Sequence, residues 1–195
     1  MDFVRSKFDI EKLCATGKKL SVGAVSLKTG RYHRFDETHP SIVDAVLASS
    51  AFPAMLCPIK IDEELWIDGG VRNVTPLKAA IDLGADAIDV VMTSPRHGVT
   101  EFKDKPNVID VALRSIDFMG DEVVETDIRL AQLYNELVGL KNIEGKRRVE
   151  IRILRPNDSL GSATLEFDHE QIMKMIDLGY NDAIKFCEIA KRLAD

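Results

Sequence analysis

Ala48-Ser-Ser-Ala-Phe-Pro53, Ile67-Asp-Gly-Gly-Val71, Asn73-Val-Thr-Pro76 and Leu83-Gly-Ala-Asp86 follow one another within forty residues, and they carry the architecture. The first ends a helix, because proline disfavours helical geometry at the residue before it. The second is a short apolar strand that runs into an aspartate and two glycines, residues that reach backbone angles closed to others and admit another backbone nearby. Thr75-Pro76 opens a helix: a capping hydroxyl precedes a proline at the first helical position, where its missing N–H costs nothing. Gly84 ends that helix in the left-handed manner, and residues 87–92 (AIDVVM) read as a largely buried strand. Strand, helix, strand is the α/β signature, so a mixed or parallel sheet covered by helices is expected.

Upstream, residues 20–27 (LSVGAVSL) and 31–35 flank Lys28-Thr29-Gly30 as a hairpin. A helix over residues 42–49 follows, with Ser41 at its N-cap, and short strands at 58–61 and 65–67 flank an Asp62-Glu63 turn. Downstream, residues 107–138 carry helical periodicity through Val108, Val111, Ala112, Ser115 and Phe118, then Leu130, Leu133, Tyr134 and Leu137, with Gly120 as a break or kink. Residues 149–154 (VEIRIL) alternate like a half-exposed strand. Residues 168–193 repeat apolar or small side chains at 172, 176, 179, 183, 186, 190 and 193, a stripe read as core, with a groove for a partner helix as the alternative.

The chain of 195 residues, 45% hydrophobic and 30% charged, suits a single domain over residues 1–195. Its net charge of -6 argues against nucleic-acid binding, which needs a clustered basic surface to displace counterions. Lys146-Arg-Arg148 is too short for that and reads as a solvated lead-in to a strand. Cys14, Cys57 and Cys187 are odd in number and lack a CxxC pattern, so no disulfide framework or zinc site is legible. No apolar run reaches the ~18 residues of a membrane span, and the first ten residues form no signal core. A cytoplasmic location is the default reading.

The four quoted segments, in that order and spacing, resemble the third sequence block of patatin-like phospholipases. Residues 22–35 resemble the preceding hairpin of that family, and residues 155–167 (from Arg155-Pro156 to Leu165-Glu-Phe167) with the helix over 178–183 resemble its closing segment. The resemblance implies a three-layer α/β/α fold with a mixed, mainly parallel sheet. It implies a serine acyl hydrolase of lipid esters working through a Ser-Asp dyad. The aspartate corresponds to Asp68, supported by Gly69 and Gly70; read without the resemblance, Asp-Gly-Gly is a simple turn.

The family's glycine-rich oxyanion loop and Gly-x-Ser-x-Gly elbow do not occur in this sequence; Gly23-Ala-Val-Ser26 and Gly161-Ser-Ala-Thr164 lack the second glycine. The chain therefore reads as a truncated, C-terminal patatin-like portion whose N-terminal strands are missing, with a catalytically inactive binding or assembly module as the alternative. Ser49 and Ser50 fall in a structural part of the family. His33, His39, His97 and His169 are scattered; His97 follows a strand end, and His169 sits in capping context. No cofactor and no metal are implied. The expected partners are a lipid or acyl-ester substrate, with peripheral membrane contact, and a second copy joined through an exposed sheet edge, unless the chain is a fragment of a longer product.

Overall fold

The computed structural model describes residues 2–95, 104–141, 147–157 and 168–194. The chain divides into two compact units, residues 1–76 with 115–130, and residues 77–114 with 131–195.

The first unit is built on a four-stranded sheet. Strands β1 (Ser21–Ser26) and β2 (Tyr32–Asp36) form the expected hairpin, in register from Ser21 opposite Asp36 to Val25 opposite Tyr32. Gly30, at φ 67°, closes the turn between them. The Ser26 hydroxyl is buried in this turn and accepts the Thr29 N–H at 3.2 Å. Strands β3 (Ile59–Ile61) and β4 (Glu64–Asp68) form a second hairpin through Asp62 and Glu63, both at positive φ as a twist-matched two-residue turn requires. The sheet order is β2-β1-β4-β3.

Helix α3 (Ile42–Ser49) packs on this sheet. Ala45 and Ala48 are fully buried beside Ala24 and Ala51, with Phe35, Ile42, Ile59 and Ile61 filling the surrounding core. Small residues let a helix approach a sheet closely, so this core is dense without a large side chain at its centre. Ser41 holds the N-cap position of α3, but at ψ 26° its hydroxyl makes no capping bond. A cap residue normally needs extended geometry to aim its oxygen at the first turn. At the open end of the first hairpin, Glu37 accepts the Leu20 N–H at 3.1 Å and pairs with Lys19 at 2.9 Å. The Lys19 hydrogen bond holds the Glu37 carboxyl below its ordinary range. The short helices α1 (Asp2–Lys7) and α2 (Ile10–Ala15) precede the sheet.

A mainly parallel sheet is not what these residues form. Every pairing in the four-stranded sheet is antiparallel; the parallel pair is β5 (Ala87–Val91) with β6 (Glu150–Leu154) in the second unit. The reason lies in the connections. Tight turns join β1 to β2 and β3 to β4 and force antiparallel pairing, whereas a long crossover containing helix α5 (Val108–Lys141) separates β5 from β6.

In the second unit, helix α4 (Leu77–Asp82) begins after Thr75-Pro76 and ends at Gly84, φ 88°. Ala85 N–H bonds Ala80 C=O and Gly84 N–H bonds Ile81 C=O, the paired bonds that close a helix on a left-handed residue. Strand β5 is less covered than expected: Val90 is buried, but Val91 is 73% exposed. On β6 the strict alternation is lost, because Arg152 turns across the pair to bind Asp89 through both carboxylate oxygens at 2.6 and 2.9 Å.

Helix α5 starts on a reciprocal cap, with Asp110 N–H on Asn107 Oδ1 and Asn107 N–H on Asp110 Oδ2. It continues through Gly120 as one element. Its expected apolar stripe faces outward, with Leu130, Leu133 and Leu137 exposed, while Val124, Ile128, Ala131 and Val138 are buried. Helix α6 (His169–Ala194) begins at its Asp168 cap, which accepts the Gln171 N–H at 2.9 Å. The expected stripe holds only in part here. Ile172, Ile176 and Gly179 are exposed while Ala183 and Phe186 are partly covered, and the covered side also takes in Met175, Leu178 and the buried Asp182.

Asn135 on α5 fixes the entry to β6, giving its Nδ2 to Val149 C=O at 2.7 Å and taking the Val149 N–H at 2.8 Å. Val149 is buried, so losing the amide strands two main-chain groups away from water. Asn135→Leu is expected to lower stability by about 3 kcal/mol in urea denaturation.

Candidate functional site

Asp68 is the last residue of β4 and lies across β1 from Ala24. Its N–H donates to Ala51 C=O at 3.1 Å, which ties the end of the Ala48–Pro53 segment to the start of the diglycine turn. The chain then enters a 3-10 turn, Gly69–Val71. Gly70 N–H donates to Asp68 Oδ1 at 2.7 Å, and both Arg72 and Asn73 return their N–H groups to Gly69 C=O. Arg72 reaches back to Gly30 C=O at 2.8 Å and holds the turn against the first hairpin.

The two glycines serve different needs. A Cβ on Gly69 would lie 2.4 Å from the Gly23 carbonyl oxygen and 2.7 Å from its carbon, so main chain meets main chain there. A Cβ on Gly70 would come 3.1 Å from Asp68 Oδ1 and crowd the carboxylate it serves. Gly23 itself lies under Tyr32, whose ring occupies the space a side chain would take.

Burial pushes the Asp68 carboxyl above the usual aspartate range, and the Gly70 N–H pulls partly against that. Among the described residues Gly70 is the one hydrogen-bond donor to this carboxylate. A half-buried acid with a raised pKa and an open second oxygen is the kind of group that general-base chemistry uses.

The serines do not complete it. Ser50 Oγ donates to Val46 C=O at 3.1 Å, and Ser26 is taken up by its own turn. His33 and His39 lie against Phe35, with ring centroids at 4.6 and 4.9 Å, and His39 Nδ1 accepts the Ser41 N–H. His169 is exposed at the first turn of α6, while His97 and residues 161–164 lie outside the described residues. Among the described residues no three His, Cys, Asp or Glu side chains group as metal ligands, and Cys14, Cys57 and Cys187 are free and exposed.

Asp127, on the part of α5 that belongs to the first unit, escaped the sequence reading. Burial raises its pKa, with the nearby Thr75 N–H pulling partly against that, and its Oδ2 is buried without a hydrogen bond. The available signal was its place between Val124, Ile128 and Ala131, an acid set among the buried apolar residues of a helix.

What the first unit presents is therefore a half-buried carboxylate on a main-chain turn. Residues 6–81, which run from the end of α1 into α4 and include Asp68, match the patatin-like phospholipase family. The match covers less than half of the chain, and the family it points to is one of lipid acyl hydrolases. No helix among the described residues is long and apolar enough to cross a membrane.

Gly69→Ala is expected to cost about 1–3 kcal/mol in urea unfolding, because neither backbone can retreat without breaking sheet bonds. Asp68 makes a second prediction through its titration. An acid whose folded pKa is raised contributes its full stability below the unfolded value and loses it as pH rises through the folded value. Asp68→Asn keeps an oxygen for the Gly70 N–H and removes the charge. It should raise the urea midpoint at pH 7 and leave it unchanged near pH 3; a lowered midpoint at pH 7 would contradict the burial of this group.

Proposed function

We propose that Asp68 is the general base of a Ser-Asp dyad in a patatin-like acyl hydrolase of lipid esters, with Gly69 and Gly70 shaping the turn that holds it. The carrying observation is the position of the carboxylate within the patatin-like segment: half-buried at a strand end, raised in pKa and bound by a single main-chain N–H. In this reading a serine hydroxyl approaches the second carboxylate oxygen and gives up its proton as it attacks the ester carbonyl. The proton then passes to the leaving alcohol, and water repeats the cycle on the acyl-enzyme. The nucleophile and the oxyanion donors come from residues outside these 195, since the sequence holds no Gly-x-Ser-x-Gly elbow. Ester and lipid substrates, and contact with a membrane surface to reach them, follow from the same reading.

A second reading has one observation in its favour. No described serine hydroxyl bonds the Asp68 carboxylate, so these residues alone suit a binding or assembly module that kept the fold without the chemistry.

The test is hydrolysis of a short-chain p-nitrophenyl ester, with fluorophosphonate labelling, by the 195-residue chain and by the longest polypeptide its gene encodes. The dyad reading expects turnover and labelling in the longer form alone, with turnover falling about a thousandfold in Asp68→Asn. Silence in both forms establishes the second reading, and activity indifferent to Asp68→Asn sinks the dyad.

A further inference from the structure

Helix α5 carries two apolar faces. The inner face is buried at Val124, Ile128, Ala131 and Val138. The outer face keeps a strict seven-residue repeat: from Ile109 to Leu140, alternating steps of three and four meet only apolar residues except at Thr126. These are the a and d positions of a heptad sustained over five successive pairs, beyond the three or four heptads that mark a coiled coil. Leu130, Leu133, Leu137 and Leu140 in this row are 59, 46, 50 and 82% exposed. On a straight helix such a row drifts by about 20° per heptad, so it forms one continuous seam only when wound against another helix in a left-handed supercoil.

From this seam we infer that α5 pairs antiparallel with α5 of a second copy of the chain. The antiparallel register that sets Ile109 opposite Leu140 of the second copy also sets Met119 opposite Leu130 and Val123 opposite Thr126. Every layer is then filled and the 34-residue helices end flush over about 51 Å. The flanking positions select the same orientation. Glu122 faces Arg129 of the second copy, twice by the two-fold symmetry; Leu113 faces Tyr134, and Asp127 faces Gly120. Glu122 and Arg129 are both exposed, and neither forms an ion pair among the described residues. A parallel pair in register would instead set Glu122 beside Asp127 of the second copy, twice.

A lipid surface is a poorer occupant, because α5 carries seven acidic residues against three basic ones and would be repelled by anionic headgroups. This interface lies on the helix, not at the sheet edges, and it holds whether or not the chain has acyl-hydrolase activity.

Sedimentation equilibrium of the whole 195-residue chain tests the pairing, with helix content followed by circular dichroism. A dimer is expected. Glu122→Arg and Arg129→Glu, both at exposed positions that leave the fold intact, should each weaken it about tenfold, and the double exchange should restore it. A monomer at all concentrations overturns the proposal, as does a dimer indifferent to either reversal. Tightening by Glu122→Arg would mean a parallel pair and overturn the orientation. Binding of the monomer to phosphatidylserine vesicles, lost in Leu133→Lys with Leu137→Lys, would give the seam to lipid instead.

Discussion

The first unit depends on the contact of two main chains, at Gly69 and Gly23. No side chain fits between them, so the end of β4 lies against β1 at a distance set by backbone atoms alone. Asp68 inherits its place from that contact. Its N–H is fixed on Ala51, its first oxygen on Gly70, and the chain beyond is drawn back through Arg72 to Gly30. A carboxylate positioned by main chain needs no side-chain cation beside it. Nothing then lowers its pKa except one N–H, and burial prevails. The outcome is a group held at some cost to folding at neutral pH.

The parts of this architecture legible in the sequence are those fixed by neighbours in the chain. The hairpin of β1 and β2, the extent of α3, the turn at Asp62-Glu63 and the left-handed stop at Gly84 all follow from local residue chemistry, and all stand where it puts them. So does the placement of Asp68 at a strand end ahead of two glycines. Sheet direction was not legible in that way. The strand-helix-strand order around α4 suggested parallel pairing, but β4 and β5 fall in separate sheets, and the four-stranded sheet obeys its hairpins. Ser41 shows the same limit on a smaller scale: the right residue at the right position has the wrong ψ, and composition carries no dihedral angle.

The long helices were misread for a different reason. A periodicity argument finds the inward face by assuming that a helix has one apolar face, and α5 and α6 each have more. On α6 the partly covered Met175, Leu178 and Phe186 and the exposed Ile172, Ile176 and Tyr180 lie on different sides of one helix, so apolar spacing alone does not choose between them. Polar residues choose better. Asp182 and Asp127 mark covered positions, and Asn135 marks the side of α5 that receives the strand entry, because each sits where a side chain engages main chain or is shut away from water.

Asp127 also joins the two themes of the molecule. It occupies a position flanking the outer seam of α5, yet its Oδ2 is shut away from water, near Thr75 at the close of the segment that begins with Asp68. Six residues lie between Asp68 and Thr75, and the stretch is held by main-chain bonds to Ala51 and Gly69 and by the Arg72 side chain on Gly30. A helix rotated to bury its leucine row by turning inward would bring Val124 and Ile128 out into water. The inward side of α5 is already taken by these residues, so the leucine row is the side left to a second helix.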